Sequence, residues 1–466
     1  MRKSFTVITG GAETPAKPEK IAPRRRNLSE MELLSERSDE SFQWFWEGKK
    51  RGTLWVYEPK IGLWKSDGMT RLHNIYGTVY GEMLCDEKGR KAHYPKALAE
   101  LESYFLSLQT DQEQELPTSP ENLIPFQNGV FDLDQNKLIP YEATHWFTSK
   151  LPWDFNENAT CDWFMKLFLD WVEKPQVFVD ILALCLYRGM PVQKFFFFLG
   201  SGANGKTMLL QILTRALGEE NVSALPIDEF RERFAAISLH RKLANIVDEL
   251  PPDTIKDSGM LKRLTGESPL RADIKHRDPI MFTSYATQIV AMNTLPPTDD
   301  TTDAFYRRIH IVDFPNKIPI EKRDLDLSRK LSIEVENYEG LLCLAVRTLQ
   351  KARANEWRFE EVTERDVERV RVDYSTRSDT ANFIVSEFCH IAEGERIPCA
   401  TFVTHVNRVR RCQALAPVKP NFIAGRMQAA GFDRERVRVN GADHQLCWMD
   451  IRLDLDRLNR WYDERE

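Results

Sequence analysis

Long hydrophobic runs are missing from this sequence. Runs such as Phe195-Phe196-Phe197-Phe198-Leu199 fall far short of the roughly 18 to 20 apolar residues that cross a bilayer, so no membrane span is expected. No secretory leader is expected either. Met1, Arg2, Lys3 and Ser4 lead into Thr6 to Gly11 without a sustained apolar stretch or a small-residue cleavage site, which makes the cytoplasm the expected compartment. The eight cysteines include no C-x-x-C pair. Zinc-ligand spacing is therefore absent, and reduced core thiols are expected. Basic excess is absent too: 64 Lys and Arg against 70 Asp and Glu leave a net charge of −6, so any nucleic-acid contact has to come from local basic patches. No repeat of fixed period appears, which excludes solenoids and propellers. What remains, with 42% hydrophobic and 29% charged residues over 466 positions, is a folded chain about three domains long.

Pro15, Pro18 and Pro23 with the Arg24-Arg25-Arg26 run mark residues 1–41 as a flexible basic arm, helical only from Leu28 to Arg37. The chain then turns aromatic. Leu54-Trp55-Val56-Tyr57 alternate ahead of Gly62 and Leu63-Trp64, which predicts a small hairpin, with helices after it at about 69–83 and 94–108. Asn128-Gly129 between apolar residues predicts a second hairpin. Helical spacing returns from Trp163 to Tyr187. Most of these aromatics are expected to be core.

The chemistry is concentrated after Lys194. The apolar run to Leu199 reads as a buried parallel strand and enters Gly200-Ser201-Gly202-Ala203-Asn204-Gly205-Lys206-Thr207, after which Met208 to Leu213 are helically spaced until Gly218. This is G-x-x-x-x-G-K-[ST] in its strand, loop, helix setting. Glycines let backbone N–H groups wrap a polyphosphate at a helix N-terminus, Lys206 reaches the β and γ phosphates, and the Thr207 hydroxyl can ligate Mg²⁺. ATP and Mg²⁺ are the expected ligands. A second apolar strand, Leu243 to Val247, ends at Asp248-Glu249. Such a pair divides its labour: Asp248 is assigned to the Mg²⁺ shell and Glu249 to polarising the attacking water. A third strand, Thr287 to Met292, ends at Asn293, a neutral polar group suited to orienting that water. Arg307-Arg308 then precede the alternating Ile309 to Asp313. A guanidinium supplied across a subunit interface would neutralise transition-state charge, and two neighbours in extended chain point to opposite faces, so only one can do it.

This order of loop, acidic pair, strand-end Asn and Arg-Arg before a strand resembles the superfamily 3 helicases, most closely the poxvirus-type and phage/plasmid-type helicase-primases, over Phe195 to Pro315. The family writes Asn before the final Gly-Lys, as Asn204 stands here. The resemblance implies a hexameric AAA+ ATPase. Arg307, seven before Phe314, best matches the family's arginine finger, with Arg308 as the fallback. The basic stretch with Arg271, Lys275, His276 and Arg277 is similar to the family's channel hairpin, which grips single-stranded DNA through phosphate contacts. Residues 128–133 and 151–155 are similar to the domain that precedes the motor in poxvirus-type proteins. Ahead of the loop the spacing D-x-D occurs as Asp132-Leu133-Asp134, whose place beside Asn128-Gly129 fits that domain better than a primase centre, so primase activity is not expected.

From residue 378 onward, helices at Ala381 to Ile391, Thr401 to Arg411 and Asn421 to Ala430, followed by strands at 437–439 and 445–451, suggest a winged helix. Arg408, Arg410, Arg426, Arg434, Arg436 and Arg438 are among the residues it would offer to duplex DNA, with the third helix in the major groove; docking of protein is the alternative.

The expected fold is thus α/β: the arm at 1–41, an N-terminal helical/β domain at 42–160, a helical collar at 161–190, an AAA+ P-loop core at 191–320, a helical segment at 321–377 and a winged helix at 378–466. The expected function is a replicative DNA helicase of a phage, plasmid or related element in its host's cytoplasm, with single-stranded and forked DNA, further copies of itself, and a primase or polymerase as partners. The alternatives are an origin-binding initiator that uses ATP only to assemble, or an ATP-gated scaffold or defence protein.

Overall fold

The computed structural model describes residues 43–47, 52–74, 115–249, 258–266, 268–275, 279–296, 298, 300, 302–362, 367–412, 415, 417–438 and 444–463. The basic arm, Cys85, the helix expected at 94–108, His276 and Arg277 lie outside these residues, and the helix expected from residue 69 is described only as far as 74.

Aromatic alternation builds the first layer. β1 (Gln43–Glu47), β2 (Thr53–Glu58) and β3 (Leu63–Lys65) form an antiparallel meander, so the hairpin expected at Leu54 to Trp64 has a third strand. Trp64 is fully buried, donates from its indole N–H to Ala143 O at 2.8 Å and stacks on Trp146 at 4.8 Å. A second meander follows: β4 (Leu123–Phe126), β5 (Gly129–Asp132) and β6 (Lys137–Ile139). Its first turn is Gln127-Asn128, with Gly129 already in the strand opposite Phe126. The turn is therefore shifted by one residue from the Asn-Gly pair. Asp132, buried, accepts from Asp134 N at 2.8 Å and from the Gln135 side chain at 2.7 Å, and Asp134 pairs with Arg353 at 2.9 Å. The D-x-D spacing thus closes a turn.

The helical stretch from Trp163 divides into α1 (Asp162–Trp171) and α2 (Gln176–Leu186), interrupted at Pro175. Next comes β7 (Phe195–Leu199), then α3 (Lys206–Leu217), β8 (Val222–Ser223), β9 (Ala244–Val247), α4 (Ser258–Leu264), the hairpin β10 (Leu270–Ala272) and β11 (Ile280–Phe282), β12 (Thr287–Met292), α5 (Asp303–Tyr306) and β13 (Ile309–Asp313). The molecule is mixed α/β around one five-stranded sheet of order β13-β7-β12-β9-β8, whose pairings are all parallel. β7 is buried on both faces. Phe196 and Phe198 enter the core shared with α1 and α2, and Phe195, Phe197 and Leu199 enter the opposite one. At about 1.5–3 kcal/mol for each fully buried Phe, this strand alone anchors both layers.

The helices α6 (Leu327–Ile333), α7 (Val335–Ala354) and α8 (Val367–Ser378) follow. α7 lies against α2, and Gly340 lets it approach the segment just before α1: a Cβ there would stand 2.3 Å from the Thr160 carbonyl. The C-terminal part runs α9 (Thr380–Phe388), β14 (Cys389–Pro398), α10 (Cys399–Cys412), α11 (Pro420–Ala429), β15 (Arg434–Arg438), β16 (His444–Leu453) and α12 (Leu455–Asp463), with sheet order β14-β16-β15. The helix expected to reach Ile391 stops at Phe388, and Ile391 pairs with Ile451 in the sheet. Cys161, Cys185, Cys343 and Cys447 are buried free thiols. Among the described residues no helix is long and apolar enough to cross a membrane.

Candidate functional site

Parallel pairing sets the site. Met292 stands opposite Leu199, and Val247 opposite Val290, so the loop after β7, Asn293 after β12 and Asp248 after β9 all emerge at the same edge of the sheet. Gly202, Ala203 and Gly205 have φ of +94°, +55° and +90°, the left-handed turns that fold 200–205 back over the start of α3. Space as well as φ requires Gly205, since a Cβ there would lie 2.4 Å from the Trp171 ring. Asn204, 3% exposed, donates to Phe314 O at 3.2 Å and pins the loop to the end of β13.

Lys206 is buried at the first position of α3. Its ammonium donates to Gly200 O, to Asn204 Oδ1 at 3.3 Å and to Asn293 Oδ1 at 3.4 Å. Burial lowers its pKa, while Asp248 and Glu249 pull the other way. Thr207 donates from its hydroxyl to Asp248 Oδ1 at 3.2 Å. Asp248, Glu249 and Asn293 are exposed. The backbone turns, a buried cation and an adjacent hydroxyl–carboxylate pair suit a polyphosphate with a divalent cation. Gly202 faces open space: no atom lies within 4 Å of a Cβ built there.

The two arginines sit elsewhere. Ile309 pairs with Phe195, the first residue of β7, so Arg307 and Arg308 are at the edge opposite the loop. Neither is in extended chain: Arg307 closes α5 at φ −60° and ψ −21°. They diverge all the same. Arg308 is 9% exposed and donates to Ala304 O at 2.6 Å and Gln193 Oε1 at 3.2 Å. Burial lowers its pKa, and Arg307 adds to the effect. Arg307 is exposed, while its carbonyl accepts from the Lys194 ammonium at 2.6 Å.

Arg271 lies on β10 and pairs with Asp273 at 3.2 Å; Lys275 is exposed in the connection from β10 to β11. Among the arginines of the C-terminal part, Arg410 is buried against Thr380, Arg426 is 3.8 Å from Asp379, Arg408 lies over the Tyr462 ring and Arg434 over Trp448. Arg436 and Arg438 stay exposed along β15. The outer side of α11 shows Asn421, Phe422, Gly425 and Gln428, with the exposed Lys419 just ahead of its first residue. Sequence reasoning missed Trp171 and Lys194, which hold the loop and the Arg307 turn. A cation just before an apolar strand was the available signal for Lys194.

Residues 39–174 match the family described as D5 N terminal like, and residues 198–308 a family of unknown function, DUF5906. Over 259 residues, 50% of this chain, the sequence is 23% identical to the L207/L206 helicase candidate of Acanthamoeba polyphaga mimivirus, of whose length it spans 27%. Two apo structures of the NrS-1 C-terminal region are similar in backbone. The A form has a TM-score of 0.44 at 11% identity, covering 91% of this chain and 99% of that one. The other has 0.43 at 12%, covering 92% and 100%.

Proposed function

We propose, proceeding from a chain that carries the two domains typical of phage and plasmid primase-helicases, that it hydrolyses ATP and moves along single-stranded DNA as a hexameric ring of the superfamily 3, AAA+ kind. The observation that carries this reading is the division of the polar groups between the two edges of one sheet. Lys206, Thr207, Asp248, Glu249 and Asn293 share one edge, and Arg307 stands at the other. The five residues of β7 between them, at about 3.3 Å each, span roughly 16 Å. Arg307 cannot serve its own loop and is available to a neighbour's.

In this reading Lys206 and the loop amides hold the triphosphate, Glu249 takes the proton of the attacking water and Asn293 orients it. Arg307 of the next protomer meets the charge that develops on the γ-phosphate. Thr207 and Asp248 would hold Mg²⁺, which screens phosphate charge when bound. The β10–β11 hairpin, with Arg271 and Lys275 and with His276 and Arg277 in its sequence, is proposed to track the DNA backbone. The C-terminal order helix, strand, helix, helix, strand, strand supports a winged helix, with Arg436 and Arg438 on its wing as the DNA contacts. Purified protein is expected to show Mg²⁺-dependent ATPase stimulated by single-stranded DNA and lost in Lys206→Ala and Glu249→Gln. ATPase that persists in both variants would overturn the assignment.

A further inference from the structure

Tyr374 belongs to none of the motifs above, yet it touches three of the elements that carry them. It is wholly buried on α8. Its hydroxyl donates to the Pro296 carbonyl at 2.7 Å, three residues beyond Asn293. Its ring meets Phe305 edge-on at 5.5 Å and Tyr306 at 6.0 Å, the two residues before Arg307. On its remaining side lies Phe197 of β7, at 6.4 Å. One turn further along α8, the nearly buried Arg377 pairs with Asp313, the last residue of β13, and reaches Asp373 at 3.5 Å. Val372 of the same helix packs against the C-terminal core, whereas Val370 and Tyr374 enter the core of the sheet.

We infer that Tyr374 is a positioning residue that holds the Asn293 loop and the Arg307 turn in fixed relation, while α8 passes their state to the C-terminal domain. The inference rests on the proposed ATPase. In that scheme Asn293 acts on its own protomer's nucleotide and Arg307 on the neighbour's, so one phenol joins two successive sites of the ring. The chemistry suits the task. A buried hydroxyl fixes a carbonyl because leaving either group unpaired away from water is costly, and edge-on aromatic rings favour one mutual geometry.

Tyr374→Phe keeps the ring and removes the hydrogen bond. It is expected to lower kcat for ATP about tenfold with KM within about twofold, a loss confined to the reacting state. The deciding measurement is the cycle with Asn293→Ala. If Tyr374 acts through the Asn293 loop, the second change adds little to the first, whereas a general packing defect multiplies with it. Wild-type kcat in Tyr374→Phe, or full additivity in the cycle, overturns the inference. Hydrogen exchange reads the same bridge without turnover: amides of 293–296 and of 305–308 are expected to exchange faster together in Tyr374→Phe, and unchanged exchange at either segment overturns it. A wild-type chain with no Lys206-dependent hydrolysis would overturn the proposed function instead, and the exchange result would then decide the bridge alone.

Discussion

Arg307 and Arg308 are adjacent and chemically identical, and their surroundings give them different work. Arg308 spends its guanidinium on Ala304 O and Gln193 in a buried setting. Arg308→Ala is therefore expected to destabilise the protein by about 1–3 kcal/mol in urea titrations, the worth of hydrogen bonds donated by a charged group. Arg307→Ala should leave stability within about 0.5 kcal/mol, as exposed substitutions do, while ATP turnover is lost and nucleotide binding kept. A second residue-scale prediction concerns pH. His240 packs edge-on to Phe282 at 5.0 Å, and burial, with Arg241 beside it, pushes its pKa down to about 3. The folded value lies below the unfolded 6.5, so between the two the unfolded chain binds more protons and stability falls as pH drops. The His240 share is at most about 2 kcal/mol from pH 6.5 to 5. The unfolding free energy of wild type minus that of His240→Phe should fall accordingly as pH drops across that window; a constant difference would contradict the burial argument. At this scale the acidic pair and Lys206 were legible because a charge at the end of an apolar run stands out. The preference for Arg307 over Arg308 rested on the resemblance, since no local pattern separates the two and only the tertiary fold buries Arg308.

Elements were legible where period and punctuation agreed. β7, β9 and β12 lie within a residue of the apolar runs that predict them, and α3 ends at Gly218 as expected. β14 was missed. Ile391 and its neighbours are mostly exposed, so no strong alternation marks them as strand, and pairing with β16 decides their conformation. Gly340 gives the element-scale prediction. Helix propensity alone favours Gly340→Ala by up to about 1 kcal/mol. The added Cβ would meet the Thr160 carbonyl at 2.3 Å, and overpacking of that kind costs about 1–3 kcal/mol. Destabilisation should win, seen as a lowered melting temperature; a raised one would mean that α7 and the 160 segment can separate cheaply.

For the whole molecule, the proposed function turns the opposed placement of Lys206 and Arg307 into a site that one copy would not complete. Lys206→Ala and Arg307→Ala should each be inactive alone. Mixed one to one, they should regain up to about a quarter of the wild-type ATPase, because a head-to-tail interface can join an intact loop from one variant to an intact arginine from the other. No recovery on mixing would remove the shared site. The sequence by itself determined the glycine-rich loop ahead of α3 and the strands that carry the polar groups, because burial period, glycine and charge are local properties. Tertiary structure decided which groups meet. Parallel pairing put Asn293 beside Lys206 and sent Arg307 to the far edge, and packing set Tyr374 against the Pro296 carbonyl and Phe305 and buried Arg410 while leaving Arg436 and Arg438 exposed. Contacts between residues distant along the chain arise only when strands take their order in the sheet, and no local pattern records that order.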